Sequence, residues 1–422
     1  MRSRAYVVLF LALGAGALHC ASRPRTQHAR AATTTAGPAQ ASPSSRDGRE
    51  FRAVSIAAGR NHACARTADG KVFCWGANNS GQLGDGTRVS RTRPTAVAAL
   101  EDADTVVAGD EHTCARSAGK QTLVCWGQNA HGELGDGTLD GRLAPTPVSD
   151  LHAVLSVSAG GHTTCARKTN RFVMCWGEVQ DGAAVKAPTP VFGMTETEEV
   201  SVGALHACAR LAVPGASDDP RAGGAPGASG APGSGGAPGA GGERPIENVR
   251  CWGSNRLRQL GIPRAVDRGL PVAVPHLENV SQLALGHEHS CARTAQGATR
   301  CWGGGLRCVP GEWFEGKRVA VKPGAIPGMD DVTVVAAGGE QACAIRKDGS
   351  VVCAREKAAT GDRSCISEPI AALSTVSALA LGDAFGCALK TDGTIWCWGK
   401  NDAGQLGDGT TRSHSEPSLV TH

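Results

Sequence analysis

Two short segments, G-x-x-H-x-C-A and V-x-C-W-G, recur as a pair seven times along 422 residues. Their cysteines are Cys64/Cys74, Cys114/Cys125, Cys165/Cys175, Cys208/Cys251, Cys291/Cys301, Cys343/Cys353 and Cys387/Cys397. First cysteines of successive units are 50, 51, 43, 83, 52 and 44 residues apart. A fixed period of this size marks a repeat architecture, in which units bury their apolar faces against one another.

Within a unit the apolar runs read as strands. "AVSIAAG", "HACAR" and "KVFCWG" are separated by turn residues such as Ala68-Asp69-Gly70, a hairpin signal. A polar, Gly-rich loop follows CWG, then a proline and a further short run such as "PTAV". Helical periodicity is missing, so four short strands in each of seven units predict an all-β, seven-bladed β-propeller.

The segment "AAGRNHACARTADGKVFCWGANNSGQLGDGT", from Ala57, and its six relatives resemble the regulator of chromosome condensation repeat family. The resemblance spans residues 51–422 and implies a seven-bladed propeller. The chain ends in "EPSLVTH", a Pro-plus-strand element, while the first unit starts at "FRAVSIAAG" with no such element before it. The expectation is that this C-terminal strand, around residues 418–420, completes the first blade and closes the ring.

With the hairpin turn centred on Asp69, Cys64 sits opposite Cys74. Directly opposed side chains in an antiparallel ladder come within disulfide reach after modest adjustment. The same holds for Cys387 and Cys397 about Asp392. Seven intra-blade disulfides are expected, with buried free thiols as the alternative; zinc fits poorly because no second ligand pair lies nearby. Cys308 and Cys365 follow the third strand of blades five and six, and either pair as a staple between blades or remain loop thiols.

The first 20 residues read as an export signal: Arg2 and Arg4 precede an apolar run over residues 5–18, shorter than a membrane span needs. Cys20 ends that run in a context resembling a lipobox, which implies lipidation; cleavage after Ala17 is the competing reading. Residues 21–50, rich in Ala, Thr, Ser, Pro and Arg, are expected to be a disordered tether. A Gly/Ala/Pro insertion at residues 213–245, in the hairpin of blade four, reads as a solvent loop. Its glycine at every third position superficially resembles collagen, but a rigid rod would part the hairpin strands.

Several other residue types recur. His62, His112, His162, His206 and His289 are read as one strand-start position, hydrogen-bonding the adjacent Gly-rich turn, with Gln341 and Phe385 in its place in blades six and seven. The CWG tryptophans read as packing residues between blades. Asp85, Asp136 and Asp408 precede glycine and read as turn residues. Blades three, five and six lack the Gly-Gln-Leu-Gly loop, and Trp313 and Phe314 in one irregular loop are candidate partner contacts.

Forty-three basic and 39 acidic residues give no basic field for nucleic acid. No H-E-x-x-H, G-x-S-x-G or phosphate-loop motif occurs. The expectation is a non-enzymatic, monomeric interaction propeller without cofactor or metal, held in the cell envelope by a lipid anchor or secreted. It would contact a protein or an envelope component. The alternatives that the resemblance brings are an inhibitor of the β-lactamase-inhibitor propeller type and a guanine-nucleotide exchange factor; a glycan hydrolase would need converging carboxylates.

Overall fold

The computed structural model describes residues 51–180, 183–212, 247–306, 308, 311–314, 317–356 and 365–422. The expectations for residues 1–20, 21–50 and 213–245 lie outside the described residues. What is described is all-β: seven antiparallel sheets, one for each repeat, form the blades of a propeller.

Blade one shows the plan. Strands Ala53–Ala58, His62–Thr67, Val72–Gly76 and Arg91–Ala96 pair in sequence order. The middle hairpin turns at Asp69-Gly70, placing Cys64 opposite Cys74 and His62 opposite Gly76.

The same register recurs around the ring. Cys114 faces Cys125, Cys165 faces Cys175, and Cys208 faces Cys251. Cys291 faces Cys301, Cys343 faces Cys353, and Cys387 faces Cys397. All seven pairs are joined as disulfides, with Cα atoms 4.0–4.1 Å apart. The third-strand partners Cys125, Cys175, Cys301 and Cys353 are buried like the second-strand cysteines they bond, and none of them is a free thiol. Alternation along the strand explains the burial, since every second side chain faces the neighbouring blade.

The glycine of CWG has a specific reason. Gly76 sits at φ +100°, and a Cβ there would lie 2.6 Å from the Asn61 carbonyl oxygen. Only glycine meets both demands. The ladder is broken at Trp75: Cys74 pairs with Thr95, but Gly76 pairs with Arg91. Pro94 falls within this irregularity on the outer strand, where a missing N–H is tolerated.

Ring closure differs from the expectation. The last strand, His414–Leu419, pairs with Ile395–Gly399 of its own blade, and blade one is complete without it. The reason lies in the order of each unit: the Pro-plus-strand element after CWG returns antiparallel to its own third strand, so no blade is short of one. Blades one and seven are instead joined by packing and by hydrogen bonds between segments. Trp75, Phe385, Leu406 and Val420 share one buried cluster. The Ala53 N–H donates to Gly393 O at 2.9 Å, and Arg93 Nη1 donates to Thr421 Oγ1 at 2.5 Å.

The other seams follow the same rule, with the tryptophan of one blade buried against the preceding blade. Trp126 packs with Cys64 and Leu83, Trp252 with Val173 and Met194, and Trp398 with Val351 and Leu373. In blade six, Ala354 stands in the tryptophan position. The seam to blade five is filled by Leu306, Ile326 and Met329. A fully buried tryptophan removes well over 150 Å² from water, so these seams carry much of the propeller's stability.

Candidate functional site

Three zones could do more than hold the ring together: the seams, the axis and the irregular blades. The paired cysteines belong to none of them as ligands. The sulfurs of Cys125, Cys175, Cys301 and Cys353, like those of the other pairs, are spent on disulfides and packed into the seam clusters, so they offer no thiolate to a metal or substrate.

At the seams, sequence reasoning placed histidines against their own turns. His62 Nε2 instead reaches Thr113 Oγ1 in the next blade at 2.9 Å, His112 reaches Thr164 at 2.8 Å, and His206 reaches Ser290 at 2.7 Å. Those hydroxyls donate to the carbonyls of Gln82, Glu133 and Gln259, which also accept the indole N–H of Trp126, Trp176 and Trp302. Since each hydroxyl proton is committed to a carbonyl, the imidazole must donate through Nε2–H. His289 does the same to Gln341 O at 3.2 Å.

The Nδ1 atoms of these four rings are buried without a hydrogen-bond partner. Burial therefore pushes their pKa values down, to about 3 for His62 and His206 and about 4 for His112 and His289. These rings are neutral structural links.

His162 does not share that position. It lies three residues before Cys165, whereas the others lie two before theirs, and Thr163 takes the register place opposite Gly177. A one-residue offset turns a side chain away from its neighbours' direction. His162 thus stands half-exposed, 3.3 Å from the buried Glu133 carboxylate and stacked on His131. The hydrogen bond to Glu133 raises its pKa.

The regular exit loops use their aspartates fully. Asp85 Oδ1 accepts from Asn78 Nδ2 and from the N–H and hydroxyl of Thr87, and Oδ2 accepts both Nε and Nη2 of Arg91 at 2.9 and 2.7 Å. Asp136 repeats the pattern with Arg142, and Asp408 with His414. With their lone pairs occupied, they serve as loop anchors, as turn residues would.

On the axis the seven turns before the second strands converge. Backbone bonds run between blades from Arg60 to Asp110, Asp110 to Gly161, Ala204 to Gly286, His287 to Gly339 and Asp383 to Arg60. The turns line a small polar cavity of about 100 Å³. His287 lies 3.6 Å from Asp110 and 3.7 Å from Asp383, with Arg60 3.9 Å from Asp110. Hydrogen bonding and attraction from Asp110, with attraction from Asp383, raise the His287 pKa. Burial works to raise the Asp110 carboxyl, but His287 and Arg60 outweigh it and hold it below the ordinary range.

Exposed aliphatic side chains are spread around the ring, Val89 in blade one and Leu139 in blade two among them, but the exposed aromatic ones lie in blades three and five. In blade three the third and fourth strands lengthen to Val173–Gln180 and Ala183–Pro190 where the other blades have a loop. Beside them lies a mainly apolar groove of about 410 Å³ between blades three and four, flanked by Phe192 and Leu270, which are 74% and 65% exposed. In blade five Glu312–Phe314 forms an extra strand on Lys317–Ala325. Phe314 is 42% exposed; the Trp313 side chain lies outside the described residues. Cys308 is buried in blade five, and Cys365 begins the strand Cys365–Pro369 in blade six. The Cys365 side chain is not among those described, so a bond between the two stays an expectation.

Fold and seams together define a seven-bladed propeller of single-hairpin disulfide repeats, a class of interaction and regulatory scaffold. More narrowly, the chain belongs to the regulator of chromosome condensation (RCC1) repeat family: residues 53–82, 104–133 and 376–405 match one description of that repeat, and 69–116, 123–167, 248–293 and 392–422 a second. The unmatched stretches, 168–247 and 294–375, contain most of the irregular loops.

Among curated relatives, the ultraviolet-B receptor UVR8 of Arabidopsis thaliana is 26% identical over 267 residues, 60% of this chain and 53% of UVR8. The E3 ubiquitin-protein ligase HERC2 of Homo sapiens is 33% identical over 131 residues, 30% of this chain and 3% of HERC2. The chain thus spans about half the length of the first and a small part of the second. Among solved structures, Prp20p of Saccharomyces cerevisiae, studied for its binding to Gsp1p and histones, superposes with a TM-score of 0.65. It is 18% identical, with 85% of this chain and 87% of Prp20p covered. Human WBSCR16 gives 0.66 at 18% identity, covering 84% and 94%. At such identities these structures establish the fold alone.

Proposed function

We propose that this protein is a non-enzymatic, extracytoplasmic interaction propeller that holds a protein partner through its irregular blades. The observation that carries this reading is the distribution of exposed aromatic residues. The exposed phenylalanines Phe172, Phe192 and Phe314 all belong to blades three and five. Phe192 flanks the apolar groove, and exposed aromatic surface beside a groove is characteristic of a contact surface. Disulfides in every blade support an oxidising compartment. Lipidation of Cys20, with the tether of residues 21–50, completes the proposed layout.

The test is photocrosslinking in the native envelope from a probe at position 192, compared with one at Val89 in blade one. A discrete adduct from position 192, abolished by Leu270→Ser, supports the reading; equal labelling from both positions refutes it. Recovery of a secreted hydrolase or of a small GTPase as the adduct would favour the inhibitor or the exchange-factor reading. Fatty-acid labelling lost on Cys20→Ser checks the anchor.

A further inference from the structure

Blades two and three meet at a place where the repeat is broken four times over. The exit loop of blade two carries His131 where blades one and seven carry Ser80 and Ala403, and Glu133 where they carry Gln82 and Gln405. Facing it, blade three has the out-of-register His162 and, directly after CWG, Glu178, where blades one, two and four have Ala77, Gln128 and Ser254. At the preceding seam the equivalent contact is a plain hydrogen bond, Ser80 Oγ donating to Glu111 at 2.7 Å. Four chemistry-bearing departures converge on one point.

We propose that His131, His162 and Glu178 form a binding site for a divalent transition-metal ion of the zinc type. One ligand atom from each lies within 4.8 Å of the others. Donors about 2.0–2.1 Å from a tetrahedral zinc lie roughly 3.3 Å apart, so closing onto an ion requires movements of about 1 Å. The side chains are free to make them, because all three are partly exposed.

The support behind the ligands is already present. Glu133 is wholly buried; one of its oxygens accepts the His131 backbone N–H at 2.8 Å. The other, Oε1, lies 3.3 Å from His162 Nδ1. A carboxylate behind one ring nitrogen is the arrangement that orients a metal-binding imidazole, and it directs Nε2 of His162 toward the ion. Two carboxylates in a half-buried pocket also favour a divalent cation, which offsets their mutual repulsion. Three protein donors leave the fourth position open to water or to a donor from a partner, so the ion would mark this seam as a second contact point near the axis.

The site is tested on the full chain without an affinity tag, by titration with Co(II) and back-titration with Zn(II). The expected result is one visible band of four-coordinate Co(II) per chain, discharged by one equivalent of Zn(II). His131→Ser and Glu178→Gln restore what other blades carry at these positions, so both fold, as thermal melting verifies, and both should lose the band. Glu133→Gln should weaken binding by about 10- to 100-fold while keeping the spectrum. Absence of the band in the unaltered protein, or its survival in both His131→Ser and Glu178→Gln, overturns the proposal.

Discussion

Blades one, two and seven and blades three, five and six are built from the same hairpin, yet they differ in how the third strand is left. In the regular blades the chain exits through a loop organised by one buried asparagine. Asn78 donates to Asp85, Thr87 and Val89 and accepts the Leu83 N–H; Asn129 and Asn401 do the same. That loop then presents the Gln82 carbonyl to the next blade's tryptophan. Where it is lost, blade three extends its strands and blade five adds one, and Phe192 and Phe314 are exposed there. The difference teaches that the motif fixes blade-to-blade geometry, and that departures from it free a segment to present something else.

The first way to break the comparison is Trp126→Ala, which empties a fully buried seam and removes a bond to Gln82 O. It should cost about 3–5 kcal/mol in urea unfolding, whereas Phe314→Ala, in an irregular blade, should stay within about 0.5. Equal effects would deny the division. The cysteines sharpen it by loop length: the Cys208–Cys251 bond spans 43 residues and the Cys64–Cys74 bond 10. On the chain-entropy account, the double serine variant of the first loses about 4 kcal/mol and that of the second about 3. A reversed order, by the same unfolding assay, would place the stabilisation in the folded hairpin. Asn78→Ala should cost about 3 kcal/mol, because the buried Asn78 side chain holds several loop groups at once. Asn255→Ala in blade four, whose loop keeps the Leu260 N–H bond but has Ile262 where blade one has Asp85, should cost less.

Much of the ring was legible because its determinants are local. Cysteine spacing around Asp-Gly fixes the hairpin register, and CWG marks the seam. The register survives even where the turn departs from Asp-Gly, as between Cys114 and Cys125 or Cys165 and Cys175, because the strands on either side still match. The closure was misread because strand order between units is decided by which neighbour a returning strand meets, and the count of prolines does not say so. The histidine links carried a readable signal that local reading passed over. For His62, His112 and His206, two residues before one cysteine, Thr113, Thr164 or Ser290 stands one residue before the next blade's cysteine. His289 faces Ala342 and uses the Gln341 carbonyl instead. Blades three, six and seven, which have no such histidine, face Ala207, Gly386 and Ala63. The cluster around His131 is hidden in the sequence because His162 stands one residue out of the repeat's register, and because its members come from two units.

Those links also set the smallest expected effect. His206 is held neutral in the fold, its pKa near 3 through burial and, to a lesser degree, repulsion from His289, against an ordinary value near 6.5. Between those limits the unfolded chain binds more protons than the folded one, so stability is fully present above about pH 6.5 and is lost as the pH falls toward 3. At pH 5 the loss from this one ring is about 2 kcal/mol, since each unit of pH contributes about 1.4. His206→Gln, which places at blade four the residue that blade six already uses, removes this titration. The urea midpoint of the variant should therefore fall less between pH 7 and pH 5 than that of the unaltered protein. Parallel falls would mean that the ring is charged or solvated in the fold, and that the seam between blades four and five is looser than the regular seams it resembles.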